Sequence, residues 1–462
     1  MKTLFLRGLV FVGALLLILA FHTPEQGNLL LQKIKDGLTA YETKSGPEKT
    51  YLQTDKDFYS PGDTLWFKTY LVDGISHQKS GKSRVVYVEL LNWKDSIVAK
   101  RKVFVEGASA AGDIAIDAFI REGIYRLRAF TNYMINDGKT PLFEKWVAVG
   151  GKKNSIRSME GNTGKKIATA RPESLSDIDV DHGISLRFFP EGGHLVYGLP
   201  SVLGIEAVDS YGNGLLIEGN IHTANGTVVK RFETAEFGIG KVNFTPEPNE
   251  TYYASVQPNG GENRFEMPTP RKSGYGLNVR NRDNDIIVQV STTADLTLDG
   301  TLLVGHLRGD MILERLGKTN DKGNYAVKVL TEKLPGGVAS FTLFTPSGEP
   351  VCERLVFIGH SGNGAQVSLK TDTAFFTIRE KVELNIALED GNGTPIQGDF
   401  SLSVTSVDNR SEAQPFALKS WLLLDSDLGG HGRESGFLFQ GLLKTHPILV
   451  GCLDAYKGLV PV

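Results

Sequence analysis

The residues of this chain that could perform chemistry are few, or lie without a recognisable spacing. The two cysteines are Cys352 and Cys452, and the nine histidines form neither a His-x-x-x-His pair nor a cluster with cysteine. Zinc sites in proteins need such ligands at short, regular spacing. The chain also lacks a Gly-x-Ser-x-Gly turn for a nucleophilic serine. The sequence therefore predicts no catalytic residue, no bound metal and no cofactor.

Two further kinds of residue could take part in chemistry, but their positions form no recognisable motif. Cys352 lies in an apolar run, Val351 to Phe357, where a small buried side chain is the simplest interpretation. The 53 acidic residues are spread along the chain, and sequence alone cannot select two of them as a catalytic pair. A carbohydrate-active enzyme therefore stays a distant alternative, since β-sandwiches can hold sugar sites that a sequence does not reveal.

A long-range internal repeat reveals the elements that position these residues. Residues 52–74 return without a gap as residues 369–391, with Thr54, Asp55 and Phe58 matched by Thr371, Asp372 and Phe375. A second match aligns residues 212–221 with 391–400, so that Gly212 meets Gly391. Repeats this far apart indicate one domain type used several times rather than a solenoid of short units.

Alternation within the repeated strand separates an inner face from an outer face. Residues at 65, 67, 69 and 71 take the core side, which leaves Trp66, Lys68, Tyr70 and Val72 on the opposite side. Two aromatic rings on a face that is polar in the sister copy indicate that something covers this face. A loop or the leading helix of the same chain is one candidate, and a protein partner is the other. On the second alternative, Trp66 and Tyr70 are the candidate interface residues.

Composition indicates several all-β domains. The 462 residues exceed what one core supports, and 52 glycines and 19 prolines lie between strand-like runs. A net charge of −3 without a basic stripe gives no support for nucleic-acid binding. We expect a helix at 28–42, β-sandwiches at 48–150, 183–258 and 275–360, the incomplete start of a fourth sandwich at 366–430, a linker at 151–181 and an atypical tail at 431–462.

The first residues indicate export. Lys2 and Arg7 precede an apolar run from Leu9 to Phe21, which is too short to span a bilayer comfortably but suits a signal peptide at 1–22. The cleavage site is weak, so an uncleaved N-terminal anchor stays open. Two cysteines also exclude a disulfide framework. We expect a periplasmic or outer-membrane protein.

One stretch carries a family resemblance. Residues 50–67, which read Thr-Tyr-Leu-Gln-Thr-Asp-Lys-Asp-Phe-Tyr-Ser-Pro-Gly-Asp-Thr-Leu-Trp-Phe, resemble the entry to the second domain of alpha-2-macroglobulins. Residues 125–134, 188–193 and 334–337 resemble a Bacteroidota family of exported proteins with tandem macroglobulin-type domains. Members of that family often continue into the plug domain of TonB-dependent receptors. The resemblance implies immunoglobulin-like sandwiches.

The chain departs from these families in two places. It lacks the Cys-Gly-Glu-Gln thioester of the macroglobulin protease trap. Its tail also differs from the sequence that the family resemblance implies. A frameshift near Gly429 and Gly430 would explain this difference, and the gene sequence would test it. We expect a non-enzymatic binding or scaffold protein of the cell envelope, whose protein partner belongs to outer-membrane transport. The alternative is a macroglobulin-type endopeptidase inhibitor without thioester.

Overall fold

A computed structural model describes residues 24–138, 140–150, 183–257, 261–282, 284–318, 320, 323–359, 365–404 and 418–429. Within them the chain is almost entirely β-structure, as the sequence predicts. It divides into two compact units. One unit holds the first sandwich and the repeat residues 365–404, and the other holds the second and third sandwiches, the N-terminal helix and residues 418–429.

The first sandwich consists of eight strands in two sheets. Its strands are β1 (Glu48–Thr54), β2 (Phe58–Tyr59), β3 (Thr64–Asp73), β4 (Val85–Leu91), β5 (Ile97–Phe104), β6 (Ser109–Ala115), β7 (Gly123–Phe130) and β8 (Phe143–Val149). The sheet orders are β1-β3-β6 and β2-β8-β7-β4-β5. A short helix, α2 (Asn132–Asp137), follows β7. Leu52, Leu65, Val88 and Leu127 are fully buried between the sheets, where period-two alternation directs them.

The second and third sandwiches each contain seven strands. The second has β9 (Ser185–Pro190), β10 (Ser201–Val208), β11 (Glu218–Thr223), β12 (Val228–Glu233), β13 (Ile239–Phe244), β14 (Tyr252–Val256) and β15 (Asn263–Glu266). The third has β16 (Tyr275–Asn281), β17 (Asp285–Thr292), β18 (Leu302–Leu307), β19 (Asp310–Leu316), β20 (Asn324–Leu330), β21 (Gly337–Phe344) and β22 (Pro350–Ile358). Strand β15 lies beyond residue 258, where the second sandwich was expected to end.

All three sandwiches share one strand topology. The sheet β1-β3-β6 corresponds to β9-β10-β13 and to β16-β17-β20. The facing sheet β5-β4-β7-β8 corresponds to β12-β11-β14-β15 and to β19-β18-β21-β22. The second and third sandwiches each bury a separate apolar cluster. The repeats in the sequence therefore reflect one β-sandwich design used in series.

Residues 365–404 repeat the opening hairpin of that design. They contain β23 (Gln366–Thr371) and β24 (Leu384–Glu389), which pair so that Thr371 lies opposite Leu384. In the first sandwich Thr54 lies opposite Phe67, at the same positions of the repeat. The turns also match. The Thr377 amide donates to the Glu380 carboxylate, just as the Ser60 amide donates to Asp63.

This turn contains one backbone difference with an energetic consequence. Gly62 has φ of 90°, and Arg379 occupies the same position with φ of 67°. A side chain in this left-handed region costs about 1–2 kcal/mol, partly offset because glycine is more disordered when unfolded. We expect Arg379→Gly to slow hydrogen exchange across β24, by a net stabilisation of about 0.5–1 kcal/mol. Arg379→Ala keeps the strained Cβ and should not stabilise; equal effects of both variants would contradict this account.

The second sequence match needs a correction of register. The Asp209 carboxylate accepts from the amides of Tyr211 and Asn213. The Asp390 carboxylate accepts from the amides two and four residues later, at Asn392 and Thr394. At this turn Gly212 therefore corresponds to Gly393, both with φ of 81°, rather than to Gly391. The gap-free alignment was two residues out because the turn is specified by its aspartate and its left-handed glycine.

The helix expected at 28–42 is present as α1 (Pro24–Ser45). It lies against the third sandwich, where Lys35 Nζ is 2.6 Å from Glu314 Oε2. The signal peptide, the 151–181 linker and the 431–462 tail fall outside the described residues. No helix in the described part of the chain has the length and apolar character needed to cross a membrane.

Candidate interaction surface

Trp66 and Tyr70 lie on the outer face of β3, as the alternation predicts, but in different surroundings. Trp66 is 59% exposed, whereas Tyr70 is buried. The hydroxyl of Tyr70 donates to Ser401 Oγ at 3.1 Å. Burial raises the pKa of Tyr70, against the opposing effect of the Ser401 hydrogen bond. The two rings therefore differ in their accessibility to a partner. Trp66 faces solvent, whereas Tyr70 already contacts residues of the same chain.

The segment over Tyr70 is residues 399–403, which follow the repeated hairpin. Lys68 Nζ donates to the Phe400 carbonyl and lies 3.6 Å from Asp399 Oδ1. Ser403 Oγ donates to the Thr54 carbonyl at 2.9 Å. Polar side chains of this segment thus face the first sandwich, while Phe400 faces outward with about half of its surface exposed. Part of the outer face of β3 is covered by the same chain, and the part around Trp66 is not covered by this segment.

Trp66 lies at the end of the first sandwich that is formed by the motif at residues 50–67. Asp55 Oδ1 accepts from the Trp66 amide and from the Tyr59 hydroxyl, so this aspartate satisfies a backbone amide. Lys56 Nζ lies 2.7 Å from Asp63 Oδ2, and this hydrogen bond is the largest cause of the lowered pKa of Asp63. The motif is therefore a hydrogen-bonded frame that presents Trp66 on a rigid strand.

Other exposed aromatic residues of the first sandwich were not singled out from sequence. Trp93 is 78% exposed, Trp146 is 51% exposed and Phe119 is 95% exposed. The outward position of Trp146 in the alternating run of β8 was a usable signal. Trp93 and Phe119 lie in connections, where alternation gives no prediction. Three of the four tryptophans of the chain are thus exposed, and all three belong to this sandwich.

Electrostatic contacts hold this aromatic region in place. Arg126 Nη2 lies 2.6 Å from Asp95 Oδ1, and Arg126 Nη1 lies 3.5 Å from Glu144 Oε2. The guanidinium carbon of Arg126 is 5.9 Å from the centre of the Trp146 ring. Such a cation over an aromatic face contributes about 0.5–1 kcal/mol at an exposed site. Arg126 therefore connects the β4–β5 turn to Trp146.

The motif at 188–193 has a structural role rather than an exposed one. Glu191 leaves the second sandwich and is buried against the third. Its carboxylate accepts from the Val279 amide at 2.9 Å and from Asn278 Nδ2 at 2.7 Å. It also lies 3.1 Å from Nε of buried Arg354. The neighbouring Gly192 has φ of 78°, and a Cβ there would lie 3.4 Å from the Leu277 carbonyl. This motif is the junction between two sandwiches.

The remaining chemical candidates occupy structural positions. Cys352 is a free, buried cysteine, and burial raises the pKa of its thiol to about 12, so it carries little thiolate at neutral pH. Within the described ranges, no group of three or more histidine, cysteine, aspartate or glutamate residues could hold a metal ion.

Comparisons with known proteins find similarity among solved structures. No family model and no curated protein matches the chain. Salmonella alpha-2-macroglobulin reacted with methylamine aligns over 74% of this chain and 25% of its own, with 14% identity and a TM-score of 0.20. Trypsin-activated Escherichia coli alpha-2-macroglobulin aligns over 76% and 27%, with 12% identity and a TM-score of 0.21. The tetra-tandem repeat of a large adhesion protein aligns over 75% and 89%, with 12% identity and a TM-score of 0.19. This chain spans about a quarter of the length of the macroglobulins.

Proposed function

We propose that this chain is an exported, non-enzymatic binding or scaffold protein of the bacterial cell envelope that acts with an outer-membrane transport system. The observation that carries the proposal is where the apolar, cysteine and aromatic side chains lie in the described sandwiches. Their apolar side chains close separate cores, the single described cysteine is buried, and aromatic side chains are exposed on the first sandwich. Exposed tryptophans of this kind favour protein recognition.

Two sequence features support the location and the partner. The apolar run from Leu9 to Phe21 supports export. The resemblance of residues 125–134, 188–193 and 334–337 to envelope proteins that continue into receptor plug domains supports a TonB-dependent partner. In this proposal the partner contacts the exposed indole of Trp66, and the buried Tyr70 on the same face of β3 supports that surface.

The test is co-purification of the full chain from detergent-solubilised envelopes of a Bacteroidota host. We expect a stoichiometric outer-membrane protein, reduced by Trp66→Ala at unchanged stability, because an exposed ring contributes little to folding. Phe104→Ala removes a similarly exposed ring from the opposite end of the same sandwich and serves as the matched control. If Trp66→Ala strongly lowers stability and weakens no association, the interface at Trp66 is wrong. If the wild-type chain brings down no envelope protein, the proposed function is wrong.

The motif at residues 50–67 favours one competing function, inhibition of endopeptidases. A macroglobulin-type inhibitor would be cleaved in an exposed segment, for which 151–181 is the candidate, and would protect large substrates from the protease. We expect neither effect. Residual trypsin activity should be the same on casein as on a small chromogenic peptide after incubation with an excess of the chain. A selective loss of casein cleavage would establish the inhibitor instead.

A further inference from the structure

Three connections of the first sandwich meet at one end. They are the turn at 60–63, the β4–β5 turn at 92–96 and the β6–β7 connection at 116–122. The Ile116 amide donates to the Asp63 carbonyl at 2.9 Å, which joins the first of these connections to the third. The pairing of Thr64 with Ala115 places the start of β3 beside the end of β6.

The same end carries the exposed aromatic residues. Trp93 and Phe119 are on two of the connections, while Trp66 and Trp146 are on opposite sheets close to it, the first near the start of β3 and the second near the end of β8. We call these four residues the aromatic end. Single exposed apolar side chains are ordinary on protein surfaces, but tryptophan is usually well buried. Three exposed tryptophans at one end of one domain therefore need an explanation.

The two tips are held in fixed conformations. Asn92 Oδ1 accepts from the amides of Lys94 and Ser96, which closes the turn that carries Trp93. Asp117 Oδ1 accepts from the Phe119 amide at 2.7 Å. Rigid loops lose little conformational entropy when they bind, so a ring on such a tip is suited to act as an anchor.

Charge and shape decide which class of partner fits. The three connections contain two cations, Lys94 and Arg121, against four acids, Asp63, Asp95, Asp117 and Glu122. Lys56 and Arg126 pair with Asp63 and Asp95, so this end carries no excess of positive charge. Nucleic acid and anionic lipid, both of which attract basic surfaces, are therefore disfavoured. Phe119 and Trp93 also protrude, with 95% and 78% of their surfaces exposed, whereas a platform for stacking a sugar ring would be flat. A protruding ring is complementary to a pocket.

We propose that the aromatic end docks into an apolar pocket of a folded partner protein, with Phe119 and Trp93 as the anchors. The inference rests on the proposed function, because it locates the surface through which the scaffold would hold its envelope partner. Anchors that fill a desolvated pocket dominate binding energy, while the surrounding contacts mainly exclude water. Trp66 and Trp146 are positioned to form that surround.

The test begins with photo-crosslinking in the full exported chain. p-Benzoylphenylalanine replaces Trp93 or Phe119, and, as controls at exposed sites of the opposite end of the sandwich, Phe104 or Ile135. We expect one discrete protein adduct from each anchor position and none from the controls. The crosslinked protein is then purified and titrated with Trp93→Ser, Phe119→Ser and Phe104→Ser. Each anchor variant should weaken Kd at least about tenfold, and Phe104→Ser should not.

The outcomes separate this inference from the proposed function. If the wild-type chain binds the envelope partner and both anchor variants bind it equally well, the proposed docking role of the aromatic end is wrong, while the scaffold function stands. An adduct with polysaccharide or lipid instead of protein also overturns the inference. If no complex forms with the wild-type chain, the proposed function itself fails. Because both anchor side chains are largely exposed, their replacement by serine should leave the thermal unfolding midpoint unchanged.

Discussion

Replacing Glu191 with alanine should destabilise the junction between the second and third sandwiches by about 3–5 kcal/mol. The carboxylate is buried and receives the Val279 amide and the Asn278 side chain. Its removal leaves the guanidinium of Arg354, which is also buried, without this carboxylate partner. Hydrogen-exchange mass spectrometry of β16 and β22 would measure the loss, since unfolding of a multidomain chain is not a single two-state transition.

Paired substitutions at this junction distinguish a missing partner from missing packing. Glu191→Leu combined with Arg354→Met removes both charges and retains apolar volume, so it should recover most of the loss. Glu191→Gln keeps hydrogen-bond acceptance without the negative charge and should fall between wild type and Glu191→Ala. A loss below about 1 kcal/mol for Glu191→Ala would show that the ion pair contributes no more than a surface pair does.

The β-strand character of this protein was predictable because period-two alternation marks strands such as β3. Along β3, Leu65 and Phe67 are buried and Trp66 between them is exposed, as period-two alternation requires. The repeat also indicated that residues 369–391 fold like residues 52–74. The register error at Gly391 arose because the alignment followed the shared Gly-Asn-Gly, whereas the turn is fixed by its aspartate and its left-handed glycine. Local pattern therefore determines elements well and their exact alignment less well.

The surface could be predicted only in part, because pairings between distant residues leave no local trace. Trp66 is recognisable as an outward aromatic residue, but nothing near Tyr70 indicates that Ser401 will bond its hydroxyl. Glu191 and Arg354 are likewise far apart in sequence and meet only through the packing of two domains. Phe119 lies in a connection, where no periodicity distinguishes an exposed ring from a buried one.

Replacing Trp421 with alanine should release residues 418–429 from the third sandwich. These residues form a helical turn, Leu418–Ser420, that continues as Trp421–Asp425. Trp421 is completely buried, and Leu424 packs with Val338 and Phe357 on the outer side of β21 and β22. Truncating a buried tryptophan costs about 3–5 kcal/mol, which we expect to exceed the free energy that holds a segment of this size in place. Exchange across 418–429 should accelerate at least about a hundredfold, and trypsin should cleave after Lys419.

The same substitution at Trp146, which is half exposed and lies in the first sandwich, is the matched control and should leave exchange at 418–429 unchanged. The consequence of release follows from chain connectivity. Strand β22 ends at Ile358 and the docked segment begins at Leu418, so the chain is attached to the third sandwich at both of these points. Arg308 strengthens the second attachment, since its Nη1 donates to the Gly336 carbonyl and lies 3.8 Å from Asp427 Oδ2. Loss of Trp421 would weaken the second of these attachments, whereas slow exchange in Trp421→Ala would show that Arg308 and the leucines hold the segment alone.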